Sequence, residues 1–392
     1  MKLLGKMQKG IKHSFFNFGI GLLLLLVGNI CAAQTIVIRP NTVISFPKTY
    51  NNVVLDMSHG SFILKKNATL TIQNSVITGT LSEDNPLLFN VDKGKLILSK
   101  NQVNIKTVGI DPHSTTQSLQ YVIQVAMGNV NMSGNTFSID KPFTAGLLIT
   151  TASIPTTDFV ITKNRFEKFH GVLYLIASDN AVIADNILNT NTYGQIVLIG
   201  NNSKIIHNTI FFAGNNRLGN AMDIIDSDNI IISKNRIFTP TCHGIYVLNS
   251  HNLTIDSNRI SGGITYAMNI FTFAETAAIE DEYIRNIVMN HHLKNSLSNN
   301  ITITNNYMSQ NRFGIAASDV DNLVVSDNYF VQRFEDNDAR IFWTNNSVLL
   351  QHVTNLTWTN NLYKEAFTQE PYGDNSKSKN FVVFPQTGGV SL

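Results

Sequence analysis

Apolar and polar positions alternate along most of this chain in short runs of period two, and each run is broken by a polar turn. The runs share one phrase: apolar, any, apolar, any, any, Asn, any, apolar. It reads Phe159-Val-Ile-Thr-Lys-Asn164-Arg-Phe166, Ala181-Val-Ile-Ala-Asp-Asn186-Ile-Leu188 and Ile230-Ile-Ile-Ser-Lys-Asn235-Arg-Ile237. It returns as Leu253-Thr-Ile-Asp-Ser-Asn258-Arg-Ile260, Ile301-Thr-Ile-Thr-Asn-Asn306-Tyr-Met308 and Leu323-Val-Val-Ser-Asp-Asn328-Tyr-Phe330. Looser copies centre on Asn101, Asn135, Asn208 and Asn361, and Ser75 takes the Asn slot in the earliest one. Asn164, Asn186 and Asn208 are spaced by 22 residues.

Period two marks a strand with one buried face, and the Val, Ile, Phe and Thr filling these runs suit a pleated, half-buried surface. Self-similarity at a fixed step of this length marks stacked coils. One coil holds about three short strands, and successive coils run parallel about 4.8 Å apart. The crossover is expected to be right-handed. Asn accepts left-handed or bridge-like turn backbone, and stacked amides can bond from coil to coil. The chain is therefore predicted to be all-β: a single-stranded, right-handed parallel β-helix (solenoid) of about 11–13 coils, with an N-terminal cap and one helical insertion.

The expected organisation has four parts. Residues 1–33 carry Lys2, Lys6, Lys9 and Lys12, then an apolar stretch from Phe18 to Val27, then Cys31-Ala-Ala33, the pattern of a signal peptide. The apolar stretch is short for a membrane span of about 20 residues. A secreted or periplasmic protein with no membrane span after signal removal is expected; an uncleaved anchor is the alternative. Residues 34–66 read as an N-terminal cap and opening strands, 67–367 as the β-helix, and 368–392 as a polar tail. Asn258 and Asn306 are 48 apart, which leaves room for an insertion over about 273–297. There Ile279, Tyr283 and Ile287 recur every four residues, the spacing of a short amphipathic helix.

Charge and cysteine narrow the picture. Loss of residues 1–33 removes four lysines and no acid, taking the net charge from +2 to −2. That lacks the basic excess of nucleic-acid binding, so no nucleic acid is expected as a partner. Of the two cysteines only Cys242 remains in the mature chain, so stacking has to stabilise the fold without an intrachain disulfide. No clear calcium site is legible, and a calcium requirement stays open.

A repeat sets equivalent residues in rows. Small residues recur before one strand of each coil, and the position preceding them carries His170, Tyr193, Asn220, His243, Tyr266 and Phe313. A second row follows: Tyr174, Ile196, Asp223, Tyr246, Asn269 and Ala316. If Met222, Ile245 and Met268 point inward, parity turns the second row outward. His170, Tyr193, Asn220, Tyr246 and Asn269 are then expected to bind substrate, because aromatic faces pack on sugar rings and amides bond hydroxyls. The bland alternative is that these aromatics merely cover strand surface. His243 and Tyr266 share a slot on adjacent coils and are the expected general base and acid, with Asn220 or Asp223 orienting a sugar. Asp223 lies about 11 Å from His243 by coil and residue spacing, too far for a direct dyad. Arg165, Arg236 and Arg259 share the slot after Asn; Arg236 and Arg259 are expected to hold carboxylates, against the alternative of solvated turn arginines. Turn pieces such as Ser227-Asp-Asn229 make Asp179, Asp228 and Asp321 turn residues.

The Asn-centred repeat resembles that of the right-handed parallel β-helices of the pectin-lyase-like superfamily. The resemblance implies the fold, and a membership that runs from pectate lyases, polygalacturonases, alginate lyases and mannuronan epimerases to binding proteins. Cys242-His-Gly-Ile245 is similar to the Gly-His-Gly motif of polygalacturonases, although Asp223-Ile-Ile stands where that family has paired aspartates. Asp111-Pro-His-Ser114 resembles the Asp-Pro-His-Asp motif of mannuronan epimerases, with Ser114 in place of the second acid. A His-Gly-Ile step also occurs in epimerases. The leading expectation is an exported carbohydrate-active or carbohydrate-binding protein, a lyase or epimerase on an extended, acidic polysaccharide. The alternatives are a non-catalytic glycan-binding or adhesion protein, and a periplasmic maturation-type β-helix.

Overall fold

A computed structural model describes residues 33–110, 120–142, 144–151, 156–190, 195–212, 220–238, 242–263, 266–272, 297–311, 313–333, 348–366 and 381–383. The signal-peptide reading, nearly all of the expected insertion and most of the tail lie outside these residues, as do Asp111–Ser114 and Tyr193. The described residues form an all-β parallel solenoid and contain no helix.

One coil shows how the sequence closes on itself. Strand His251–Asp256 is followed by a turn at Ser257 and Asn258, then Arg259–Ser261, then Tyr266–Phe271. Leu253, Ile255, Ile260, Met268 and Ile270 point inward and join one continuous core. Thr254, Asp256 and Arg259, which alternate with them in the strands, face outward, as a period of two requires. Each pairs with its counterpart one repeat away: Ile232↔Ile255↔Ile303 and Ile237↔Ile260↔Met308. Full burial of one such side chain stabilises by about 1.5–3 kcal/mol, and every coil repeats the gain. Core aromatics stack on the same register, as in Phe137 on Phe166 at 5.5 Å.

Thirteen strands of the Arg259–Ser261 type make one sheet. Strands of the His251–Asp256 and Tyr266–Phe271 types join into a 24-stranded sheet that covers the other two faces. The strands within 34–66 obey the same parallel register, Thr35–Val37 on Val54–Met57 and Thr42–Ile44 on Phe62–Leu64, so the coil unit extends to the first described residues.

The amide ladder runs unbroken from Ser75 to Asn361. The Asn235 side chain donates to Asn258 Oδ1 at 3.0 Å and to the Ile205 carbonyl at 2.8 Å, and its own Oδ1 accepts from the Asn208 backbone at 2.9 Å. The left-handed residue is not the ladder Asn but the one before it: Lys163, Asp185, His207, Lys234, Ser257 and Asp327 all have φ near +57°. Of the two turn conformations open to the ladder Asn, the left-handed one is therefore excluded. The neighbour before the Asn makes the left-handed step, and the Asn side chain is buried in the ladder. A second column of Ser hydroxyls ties the opposite turn, with Ser227 N–H donating to Ser250 Oγ and Ser250 N–H to Ser298 Oγ. Asp179, Asp228 and Asp321 accept bonds from turn groups at Asn201, Asn252 and Thr354.

Candidate functional site

Asn220, His243 and Tyr266 each stand two residues before a register-matched core residue, Met222↔Ile245↔Met268. Backbone bonds lock the column: Ala221 N–H donates to the His243 carbonyl at 2.9 Å and Gly244 N–H to the Tyr266 carbonyl at 3.1 Å. Gly244 is needed for this closeness. A Cβ there would sit 2.6 Å from the Ala267 carbonyl oxygen and 2.6 Å from Ile260 Cγ2.

Side chains then converge on His243. Its ring centroid lies 5.3 Å from that of Tyr266 and 5.6 Å from that of Tyr246, the latter nearly parallel at 15°. Asn269 Nδ2 is 3.2 Å from His243 Nε2. From below, Asn220 Oδ1 accepts the His243 backbone N–H at 3.1 Å, and Asn220 Nδ2 donates to Asp223 Oδ1 at 2.6 Å. Asp223 is fully buried. It therefore touches the column through Asn220, and not as a group open to a sugar.

Burial lowers the His243 pKa to about 4, because low-dielectric surroundings disfavour the imidazolium. The ring is thus neutral near pH 7. An amide N–H directed at Nε2 makes that nitrogen the acceptor and puts the ring proton on Nδ1. Asn269 Oδ1 is buried and accepts no hydrogen bond among the described residues.

The second row lines up as Tyr174↔Val197↔Asp223↔Tyr246↔Asn269↔Ala316. Val197 takes the place expected for Ile196, which faces the core. His170 stands three residues before Leu173, the partner of Ile196, so it falls one residue out of phase with the Asn220–His243–Tyr266 column. Its pKa is also lowered to about 4 by burial. Tyr174 is buried with its ring edge-on to Tyr121 at 5.9 Å, in space that Gly171 leaves open. Arg236 and Arg259 are direct partners on the 13-stranded sheet and do not join His243.

One feature was missed at the sequence level. Tyr121, Tyr174, Ile176, Val197, Ile199, Ile225 and Leu248 form a second apolar cluster on the outer side of this sheet, with Tyr246 and Phe271 packed against it. The signal was present: Leu173–Ile176 reads LYLI and Ile196–Ile199 reads IVLI, unbroken apolar runs of the kind that bury both faces. The second row is therefore a mostly covered surface, with Tyr246 half-exposed beside His243. Among the described residues no three His, Cys, Asp or Glu converge as cation ligands. No helix among them is long and apolar enough to cross a membrane.

The family described as "Right handed beta helix region" matches residues 145–292, a stretch that spans the His243 column. The described residues form a parallel β-helix, and the match to the right-handed family covers 145–292 of it. Solved β-helix structures similar to it include the alginate lyase AlyF-OU02 in complex with G6, at 14% identity and TM-score 0.39 over 86% of this chain and 80% of that one. The Azotobacter vinelandii mannuronan C-5 epimerase AlgE6 A-module is 11% identical, TM-score 0.37, over 86% of this chain and 92% of that one. The periplasmic alginate epimerase AlgG T265N mutant is 13% identical, TM-score 0.33, over 82% and 78%. A search of the curated proteins gave no match.

Proposed function

We propose that this β-helix is exported by way of residues 1–33 and acts on an acidic polysaccharide, abstracting the proton at C5 of a uronate. The observation that carries this reading is His243, held neutral by burial and gripped on three sides by Asn269, Tyr246 and Tyr266. A neutral imidazole is the base form, and Tyr266 one coil above supplies a hydroxyl as acid. Bringing a uronate carboxylate beside the ring raises its proton affinity when substrate binds.

Asn269 completes the base. A half-turn of its amide brings the unpartnered Oδ1 to Nε2, moves the ring proton there and leaves the Nδ1 lone pair for the C5 proton. Loss of that proton forms a carbanion conjugated with the carboxylate. Breaking C4–O, with protonation of the leaving oxygen, gives an unsaturated sugar; return of a proton to the opposite face of C5 gives the epimer. Tyr246 offers a ring face to the sugar. Asn220 positions the His243 segment, and Asp223 holds Asn220.

A second reading is non-catalytic glycan binding on the same flank, and the low His243 pKa favours it, since burial that keeps the ring neutral also weakens it as a base. Incubation with alginate and polygalacturonate separates the two. The catalytic reading expects new absorbance from double bonds, or an altered epimer ratio by NMR, lost in His243→Ala and Tyr266→Phe. Bound polymer with neither change would assign the flank to recognition alone.

A further inference from the structure

The outer face of the 13-stranded sheet carries an unbalanced pair of charges. Arg236 and Arg259 are direct strand partners, about 4.8 Å apart along the backbone. Both are exposed. Like charges directly opposite each other disfavour a strand pair. Lower in the same column the chain neutralises its arginine, where Arg165 is bonded to Glu167 two residues on. Following the register upward, the Glu167 position becomes Asn189, Phe211, Phe238 and then Ser261. The acid has given way to aromatic rings where arginines double up. Among the described residues no carboxylate stands within ion-pair distance of Arg236 or Arg259.

Aromatic rings border the pair along the solenoid axis. Phe211 and Phe238 stack at 5.3 Å and 14°, and Phe211 is 41% exposed. On the far side the Arg259 guanidinium lies over the Tyr307 ring at 5.1 Å, and Tyr307 is 5.4 Å from Tyr329. That cation–π contact fixes one guanidinium without neutralising it. Planar, always-charged forks suit carboxylates, and flat exposed rings suit the apolar faces of sugars.

We infer that this face is a second glycan-binding surface, taking an acidic polysaccharide strand along the solenoid axis with Arg236 and Arg259 on carboxylates of neighbouring sugars. It stands on a different sheet from His243 and holds whether or not that column turns substrate over. The double variant Arg236→Gln/Arg259→Gln tests it, because both side chains are exposed and the fold, checked by thermal unfolding, is retained. Affinity electrophoresis through alginate, polygalacturonate and a neutral glucan should show the His243→Ala protein retarded by the two acidic polymers only. Adding the arginine changes should weaken that retardation about ten-fold or more, the weight of lost charge-assisted bonds. Undiminished retardation would overturn the inference. So would a dimer in sedimentation that Phe211→Ser dissolves, which would give the face to a second copy of this chain. Loss of uronate turnover in His243→Ala with acidic retardation intact would separate this surface from the catalytic column.

Discussion

Asn269 Nδ2 lies 3.2 Å from His243 Nε2, so an amide on one coil touches an imidazole on the coil beneath. The contact exists because Tyr246 and Asn269 are register partners, and Asn269 lies beside the ring that Tyr246 stacks on. Replacing the amide by a carboxylate changes the charge and little of the shape. Asn269→Asp should raise the His243 pKa from about 4 to above about 6, since an opposite charge within hydrogen-bond reach favours the protonated ring. An NMR titration of the imidazole reads this directly. A pKa that stays low would mean that the contact is not made in solution.

The same burial makes acid stability predictable. His170 and His243 both have pKa values near 4 in the folded chain against an ordinary 6.5. The unfolded chain therefore binds protons first as pH falls. Their contribution is fully present above pH 6.5 and is lost between about 6.5 and 4, worth about 1–3 kcal/mol for each ring. Denaturant midpoints at pH 7.5 and 4.5 should differ in the parent chain, and the difference should shrink in His170→Gln and His243→Gln. A pH-independent midpoint across this window would contradict the burial of both rings.

Removing a ladder amide from mid-solenoid should cost more than removing one at its end. Asn235→Ala strips the acceptor of the Asn208 backbone N–H and the donor to the Ile205 carbonyl, both buried, at about 2–4 kcal/mol. Asn361 is half-exposed, so water replaces part of what Asn361→Ala removes, and the cost falls to about 1 kcal/mol. Urea unfolding of the two variants makes the comparison.

Gly244 links the repeat to the candidate site. Gly244→Ala brings a methyl to 2.6 Å from a backbone oxygen, so the His243 segment has to shift, at about 1–3 kcal/mol. Fluorescence or ring-current shifts of Tyr266 should move with it. Unchanged spectra and stability would show that this approach is looser than 2.6 Å.

The coil and its parallel stacking were legible because they rest on a repeat of residue types, and the Asn220–His243–Tyr266 alignment because a small residue follows each of the three. Phase errors arose where the repeat slips: His170 and Ile196 each fall one residue away from the rows assigned to them, because coil lengths vary in the connecting segments. Which residue of the Asn turn is left-handed was not legible. Asn is prominent in the phrase, yet the left-handed residue is whatever precedes it, lysine as readily as aspartate. The bond from Asn269 to His243 was out of reach, because its length depends on how two side chains lean across one coil step. Burial of Asp223 followed from the outer apolar cluster, whose unbroken runs are visible but whose consequence needs the register.

Proton abstraction at C5 is tested most directly by following uronate H5 by NMR in D2O during incubation with alginate. The parent chain should deplete the H5 signal, by exchange for deuterium or by elimination, and His243→Ala should slow that loss by about 100-fold or more. An H5 signal that persists with the parent chain, or decays as fast with His243→Ala, would contradict the role given to this histidine.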